Sequence, residues 1–177
     1  MRKLKNEELG RLSIEEFKKE KKSAILVILD NIRSLNNVGS VFRTCDSFLV
    51  EKLYLCGITA TPPHKDIHKT ALGSTDSVDW EYQKDTFELV NSLKREGYQV
   101  IAVEQAENSK FLNEFVPNPK YKYAVIFGNE VKGVSQKVVS ASDEVVEIPQ
   151  YGTKHSLNIS VSAGIVIWDL FVKLKRS

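Results

Sequence analysis

The run "AILVILD" (24–30) restricts the fold more than any other stretch of this chain. It is apolar without alternation and contains β-branched side chains, which marks a strand covered on both faces. Similar runs at 52–58, 98–104, 122–128 and 144–149 read as four further strands. Helical spacing fills the gaps between them. Val38, Val41, Phe42, Cys45, Phe48 and Leu49 form one apolar stripe. Residues 85–97 make a helix with Asp85 as N-cap and Gly97 as stop signal. A short helix lies around "SQKVVSAS", and a closing helix runs from about 156 to 173. Strand and helix in alternation predict an α/β protein with a mainly parallel sheet flanked by helices. The segment "TATPPHKDIHKTALGSTDSVDW" reads as a long irregular connection, and such loops usually serve function.

A chain of 177 residues fits one domain, here 24–177, with an N-terminal helical extension over 1–23 whose "SIEE" (13–16) is a capping box. A core of that size needs no disulfide or metal. Cys45 and Cys56 stand alone, which suits a reducing cytoplasm. The N-terminus lacks the apolar core of a secretion signal. The apolar stretch from Leu157 to Leu170 is interrupted by polar residues and too short to span a bilayer, so no membrane association is expected. The net charge of +2 does not by itself announce a nucleic-acid binder. Both ends are basic, however, which would suit either a phosphate backbone or plain solvated faces.

Ligands of parallel sheets sit beyond the C-terminal strand ends. That rule selects "DNIRSLNN" after the first strand, the Pro-rich segment after the second, "GNEVKGVS" after the fourth and "QYGTKHSLN" after the fifth. On the helix that follows the first loop, Asn36, Ser40, Arg43 and Ser47 share a polar face, and Arg43 could grip a phosphate. Gly128 and Gly133 permit a tight turn and close approach to a ligand, in a pattern that is neither a Walker loop nor GxGxxG. His64 and His68 are four apart near Asp66, but no third ligand completes a metal site. His155 beside Ser156 lacks a companion acid, which disfavours a Ser-His hydrolase. A dinucleotide oxidoreductase would need a glycine-rich turn where "DNIRSLNN" stands. The closing helix is apolar nearly all round and must be buried, most simply against a second copy of the chain.

Three segments together carry a family resemblance. "NNVGSVFRTCDSF", "AVIFGNEVKGVS" and "VEIPQYGTKHSLNISVSAGI" resemble, in order, the three motifs of the SpoU (TrmH-like) branch of SPOUT RNA methyltransferases. The resemblance runs from about residue 24 to the C-terminus. It implies an α/β domain with a C-terminal deep trefoil knot, working as a homodimer. It also implies S-adenosylmethionine as methyl donor, a ribose 2′-hydroxyl of RNA as acceptor, and no metal. By motif position the donor would be held at Gly128, Asn129, Ile148, Gln150, Leu157 and Asn158. Catalytic roles would fall to Arg43, Asn37, Glu130, Ser156 and Asn158. Arg43 would activate the hydroxyl, either as base or as a cation beside the forming alkoxide. Asn36 departs from the pattern, since many members have a histidine there. With about 23 residues before the first strand, the resemblance leans toward transfer RNA rather than ribosomal RNA. The rival expectation is a non-catalytic RNA-binding module on the same scaffold.

Overall fold

The computed structural model describes residues 1–175. A 3₁₀ turn (Asn6–Leu9) and α1 (Ile14–Lys19) lead into β1 (Ile25–Asp30), α2 (Leu35–Ser47) and β2 (Lys52–Cys56). Then come α3 (Lys65–Ala71), α4 (Ser74–Ser77), β3 (Trp80–Gln83), α5 (Thr86–Arg95), β4 (Tyr98–Val103) and β5 (Lys110–Phe111). The chain ends with β6 (Lys122–Phe127), α6 (Gln136–Ala141), β7 (Glu144–Glu147) and α7 (Ile159–Lys175). The seven strands form one sheet in the order β3-β2-β1-β6-β4-β7-β5, with every pair parallel.

β1 is the sheet's anchor, and all six of its residues are buried. Ile25, Val27 and Leu29 face a core shared with α2 and α7, while Leu26 and Ile28 face the layer of α5 and α6. This two-sided burial is why the run lacks alternation, and each such side chain contributes roughly 1.5–3 kcal/mol. The capping box of α1 forms as read, with Ser13 Oγ accepting from the Glu16 N–H and Glu16 accepting from the Ser13 N–H. Phe17 pins that helix into the α2 side of the core. Asp85 caps α5 by accepting from the Phe87 and Glu88 N–H groups.

Several expectations need correction. The segment after β2 is not irregular: it holds α3, α4 and the start of β3. Helices of seven and four residues are too short to display a period, and Pro62 and Pro63 obscured them. β5, two exposed residues, has no apolar signature. α7 begins at Ile159 rather than near 156, so Ser156 and Leu157 stay in the preceding loop. Only one side of α7 is buried by the chain itself, through Ile159, Ala163, Val166, Ile167 and Leu170. Val161, Ile165 and Trp168 remain exposed.

The basic ends are partly structural. Arg2 pairs with Glu8, and Lys173 donates to the Leu112 and Phe115 carbonyls while pairing with Asp169. Arg176 and Ser177 of the basic C-terminal end lie outside the described residues. Among the described residues no helix is long and apolar enough to cross a membrane.

α2 and α3 pack in unusually close contact. A methyl group placed on Gly39 would lie 2.1 Å from Thr70 Oγ1 and 2.3 Å from the Ile67 carbonyl oxygen. Thr70 Oγ1 also donates to the Asn36 carbonyl at 3.0 Å, tying the two helices. Gly39→Ala should therefore push α3 outward and cost about 1–3 kcal/mol of stability, measured by urea unfolding with unchanged slope.

Candidate functional site

The C-terminal ends of β6, β4 and β7 lie side by side in the sheet, and their loops enclose a cradle of about 330 Å³. Its lining includes Gly128, Asn129, Glu130, Ile148, Gln150, Ser156, Leu157 and Asn158, drawn from the segments that follow β6 and β7. Phe127, Ile148 and Leu157 supply apolar wall, and Glu104, Glu130 and Glu147 supply carboxylates. Such a surface suits a small molecule that is partly apolar and carries positive charge.

The 128–134 turn is shaped by its own backbone. Asn129 and Gly133 exchange N–H···O bonds at 3.1 and 2.8 Å. Asn129 Oδ1 accepts from the Val131 and Lys132 N–H groups, and its Nδ2 donates to the Asn31 carbonyl at 2.7 Å. Gly128 has no room for a side chain, because a methyl there would meet the Val134 nitrogen at 2.1 Å. Gly133 takes a left-handed φ of +67°, which glycine adopts without steric cost.

Glu130 joins the first motif to the second. One carboxylate oxygen accepts from the Arg33 N–H at 3.0 Å. The other accepts from the Ser34 N–H at 3.0 Å and from Asn37 Nδ2 at 3.1 Å. Burial pushes the carboxyl pKa up, but the Arg33 and Ser34 N–H groups, with Asn37, outweigh it and hold the group below its ordinary value. Asn37 then accepts from Asn158 Nδ2 at 3.2 Å, which adds the third motif to the chain. Asn158 Oδ1 accepts from the Ser160 N–H at 2.9 Å and so caps α7.

The remaining candidates are placed differently. Ser156 lines the cradle, and its side chain makes no hydrogen bond among the described residues. His155 lines it too and offers its carbonyl, not its ring, to Gln105 Nε2 at 3.0 Å. Arg43 is not at this cradle. It lines a separate cleft of about 710 Å³ with Ser40, Ser47, Lys69, Ile165 and Trp168, and it has no ion-pair partner among the described residues. Arg43 lies six positions after Asn37 on α2, which turns the two side chains to different sides. His64 and His68 line a third cleft. Among the described residues no group of three or more His, Cys, Asp and Glu is placed to hold a metal ion.

Sequence reasoning passed over Val103, Glu104 and Gln105, which also line the cradle. Glu104 Oε2 accepts from the Val134 N–H at 2.8 Å, and Oε1 accepts from the Gln105 N–H at 2.9 Å. The polar pair "EQ" directly after an apolar strand was the available signal. What it lacked was the knowledge that β4 sits between β6 and β7.

A model of the SpoU rRNA Methylase family matches residues 24–168. A tRNA (guanosine(18)-2′-O)-methyltransferase of Thermus thermophilus is 30% identical over 162 residues, covering 92% of this chain and 81% of its own. A 23S rRNA (guanosine-2′-O-)-methyltransferase of Nitrosomonas europaea is 29% identical, with 84% of this chain and 56% of that protein covered. The crystal structure of the A. aeolicus TrmH/SpoU tRNA modifying enzyme superposes with a TM-score of 0.81 at 26% identity, covering 92% of this chain and 83% of that one. With its three motif segments gathered around one sheet edge, the chain belongs to the SpoU methylase family.

Proposed function

We propose that this protein is an S-adenosylmethionine-dependent methyltransferase that modifies a ribose 2′-hydroxyl of structured RNA, transfer RNA in preference to ribosomal RNA. One observation carries the reading: the hydrogen-bonded series Glu130–Asn37–Asn158, which closes the rim of the cradle from all three motif segments. The preference for transfer RNA rests on the Thermus thermophilus relative, a transfer-RNA enzyme 30% identical over 92% of this chain and covered over 81% of its own length.

The cradle's residues fit the donor. Gly128 lets the 133–134 backbone close against the end of β6 and shape the turn, Ile148 and Leu157 suit an adenosine, and the carboxylates favour a sulfonium. Bound there, S-adenosylmethionine supplies an electrophilic methyl on a sulfur that departs as a thioether. The chain's part is to hold that methyl in line with the ribose oxygen, which must shed its proton to water as the new O–C bond forms. A guanidinium keeps its charge, so Arg43 acts as the cation beside the developing alkoxide and the adjacent phosphate. Asn158 and Glu130 position the rim, and Ser156 is free to donate to a ligand.

Arg43 and the cradle lie apart within one chain, and a homodimer reunites them. The exposed α7 face of Val161, Ile165 and Trp168 is the apolar surface a second copy would cover. Ile165 and Trp168 also border the Arg43 cleft, so a second copy docked there brings its own cradle toward Arg43. The trefoil knot is proposed on connectivity. The chain leaves β6 for α6 on one face of the sheet and enters β7. It then returns past the β4 loop, where Gln105 holds His155, to α7 on the other face. Residues 1–23 are assigned as an extension of the 24–177 methyltransferase domain, and the cytoplasm as its place of action.

Incubation with methyl-labelled donor and total RNA should label a ribose, mapped by mass spectrometry. Arg43→Ala should lower turnover by about 100-fold or more while calorimetric donor affinity is kept. No donor heat and no label would leave only the RNA-binding module. Arg43→Lys retaining most activity would assign charge alone to the arginine.

Mixing Arg43→Ala with Asn158→Ala should restore roughly a quarter of wild-type turnover through mixed dimers with one whole site. Absence of rescue in chains shown to exchange subunits would place Arg43 and cradle action in the same protomer. Ile165→Glu should dissociate the dimer in sedimentation.

Because the folded Glu130 carboxyl titrates below its ordinary value, its anchoring is present above that value and lost as pH falls through the lowered one. Donor affinity should thus survive the ordinary carboxylate range and fail at lower pH. Glu130→Gln should weaken turnover by roughly 10- to 100-fold at neutral pH.

A further inference from the structure

We infer that the cleft between α3 and β3 is a second RNA subsite that takes one unstacked nucleotide of the substrate, base and phosphate together. The inference rests on the RNA-methyltransferase reading, and it deepens that reading. The cleft has a volume of about 510 Å³ and is lined by Pro63, His64, Lys65, His68, Asp76 and Trp80, among others. That size falls within the usual range for a small-ligand site, about 300–1,000 Å³.

The lining has the chemistry of single-strand recognition. Trp80, partly buried on the edge strand β3, lines the cleft and packs edge-to-face with Phe42, with ring centroids 6.5 Å apart and planes at 83°, so its exposed part can serve as a stacking surface. Single-stranded bases are bound by stacking on such side chains and by hydrogen bonds to their exposed edges. His64 Nδ1 accepts from the Asp66 N–H at 3.2 Å, so in the neutral ring Nε2 carries the proton and can donate to a base. Asp76 offers an acceptor for base amino or imino groups. Lys65 is exposed and has no ion-pair partner among the described residues, which leaves its charge for a phosphate.

Position links this cleft to the reaction. α3 is common to both clefts: Lys65 and His68 line this one, while Lys69 and Thr70 line the cleft of Arg43. A helix with side chains is about 10–12 Å across, so a strand with one ribose at Arg43 reaches the second cleft within a few nucleotides. Lys69, also without an ion-pair partner among the described residues, lies on the way. The spacing is fixed, because Gly39 and the Thr70–Asn36 hydrogen bond hold α3 against α2.

Trp168→Phe leaves Trp80 as the only tryptophan, since the chain has two. In that variant guanosine 5′-monophosphate at millimolar concentration should quench the emission, and ribose 5-phosphate should not. The exposed pair Lys65→Ala/His68→Ala should raise KM for RNA by roughly 5- to 50-fold without changing kcat or donor affinity. Trp80→Leu should do the same, with its fold checked by circular dichroism. If wild-type protein methylates RNA but the surface pair keeps its KM, or if emission does not respond to the nucleotide, the subsite is refuted and the function stands. If wild-type protein methylates no RNA, the function itself falls.

Discussion

The candidate site depends on a single carboxylate. Glu130 stands on the turn after β6 and accepts from two backbone N–H groups and one amide of the β1–α2 segment, nearly a hundred residues earlier. Charge-assisted hydrogen bonds of this kind are the strong ones, and their geometry fixes more than two loops. Asn37, once oriented by Glu130, has its carbonyl oxygen aimed at Asn158, and Asn158 in turn starts α7. The three sequence motifs are therefore one mechanical unit. Their residue types follow from that: an acid to accept three donors, and amides that both donate and accept.

The same economy explains why α7 has so little polar surface. Its inner side closes the core over α2, and its outer side offers Val161, Ile165 and Trp168 to whatever covers it. Trp168 also belongs to an aromatic group with Phe48 and Phe171, at centroid distances of 5.5 Å to Phe48 and 6.5 Å to Phe171. That packing steadies the exposed ring against the α2 end that bears Arg43. The proposed subunit contact and the cleft of the proposed catalytic cation thus share one cluster.

Much of this could be read from sequence wherever the signal was local. β1 was legible because two-sided burial removes alternation, and α5 was legible because Asp85 and Gly97 punctuate it. The rim residues Asn37, Glu130 and Asn158 could be named only by resemblance, since their hydrogen bonds span 93 and 121 positions. The α3–α4 segment was hidden because helices that short are stabilised by packing, Ile67 and Ala71 here, rather than by a visible period. Glu104 and Gln105 went unnoticed because strand order is not chain order. Residues beside the cradle by sheet position carry no spacing signal of their own. Arg43 could be placed on a helix face from its spacing, but only the packing of α7 and α3 decided which cleft that face lines.

Gln105 and Glu104 carry a consequence for biogenesis. Through them the loop after β4 supports both the 128–134 turn and the backbone at His155. The cradle as a whole is not complete until the segment between β7 and α7 has settled against that loop. Contacts so distant along the chain form late and slowly. A growing polypeptide would thus acquire affinity for a small molecule only at the end of its maturation, making ligand retention a readout of completed assembly.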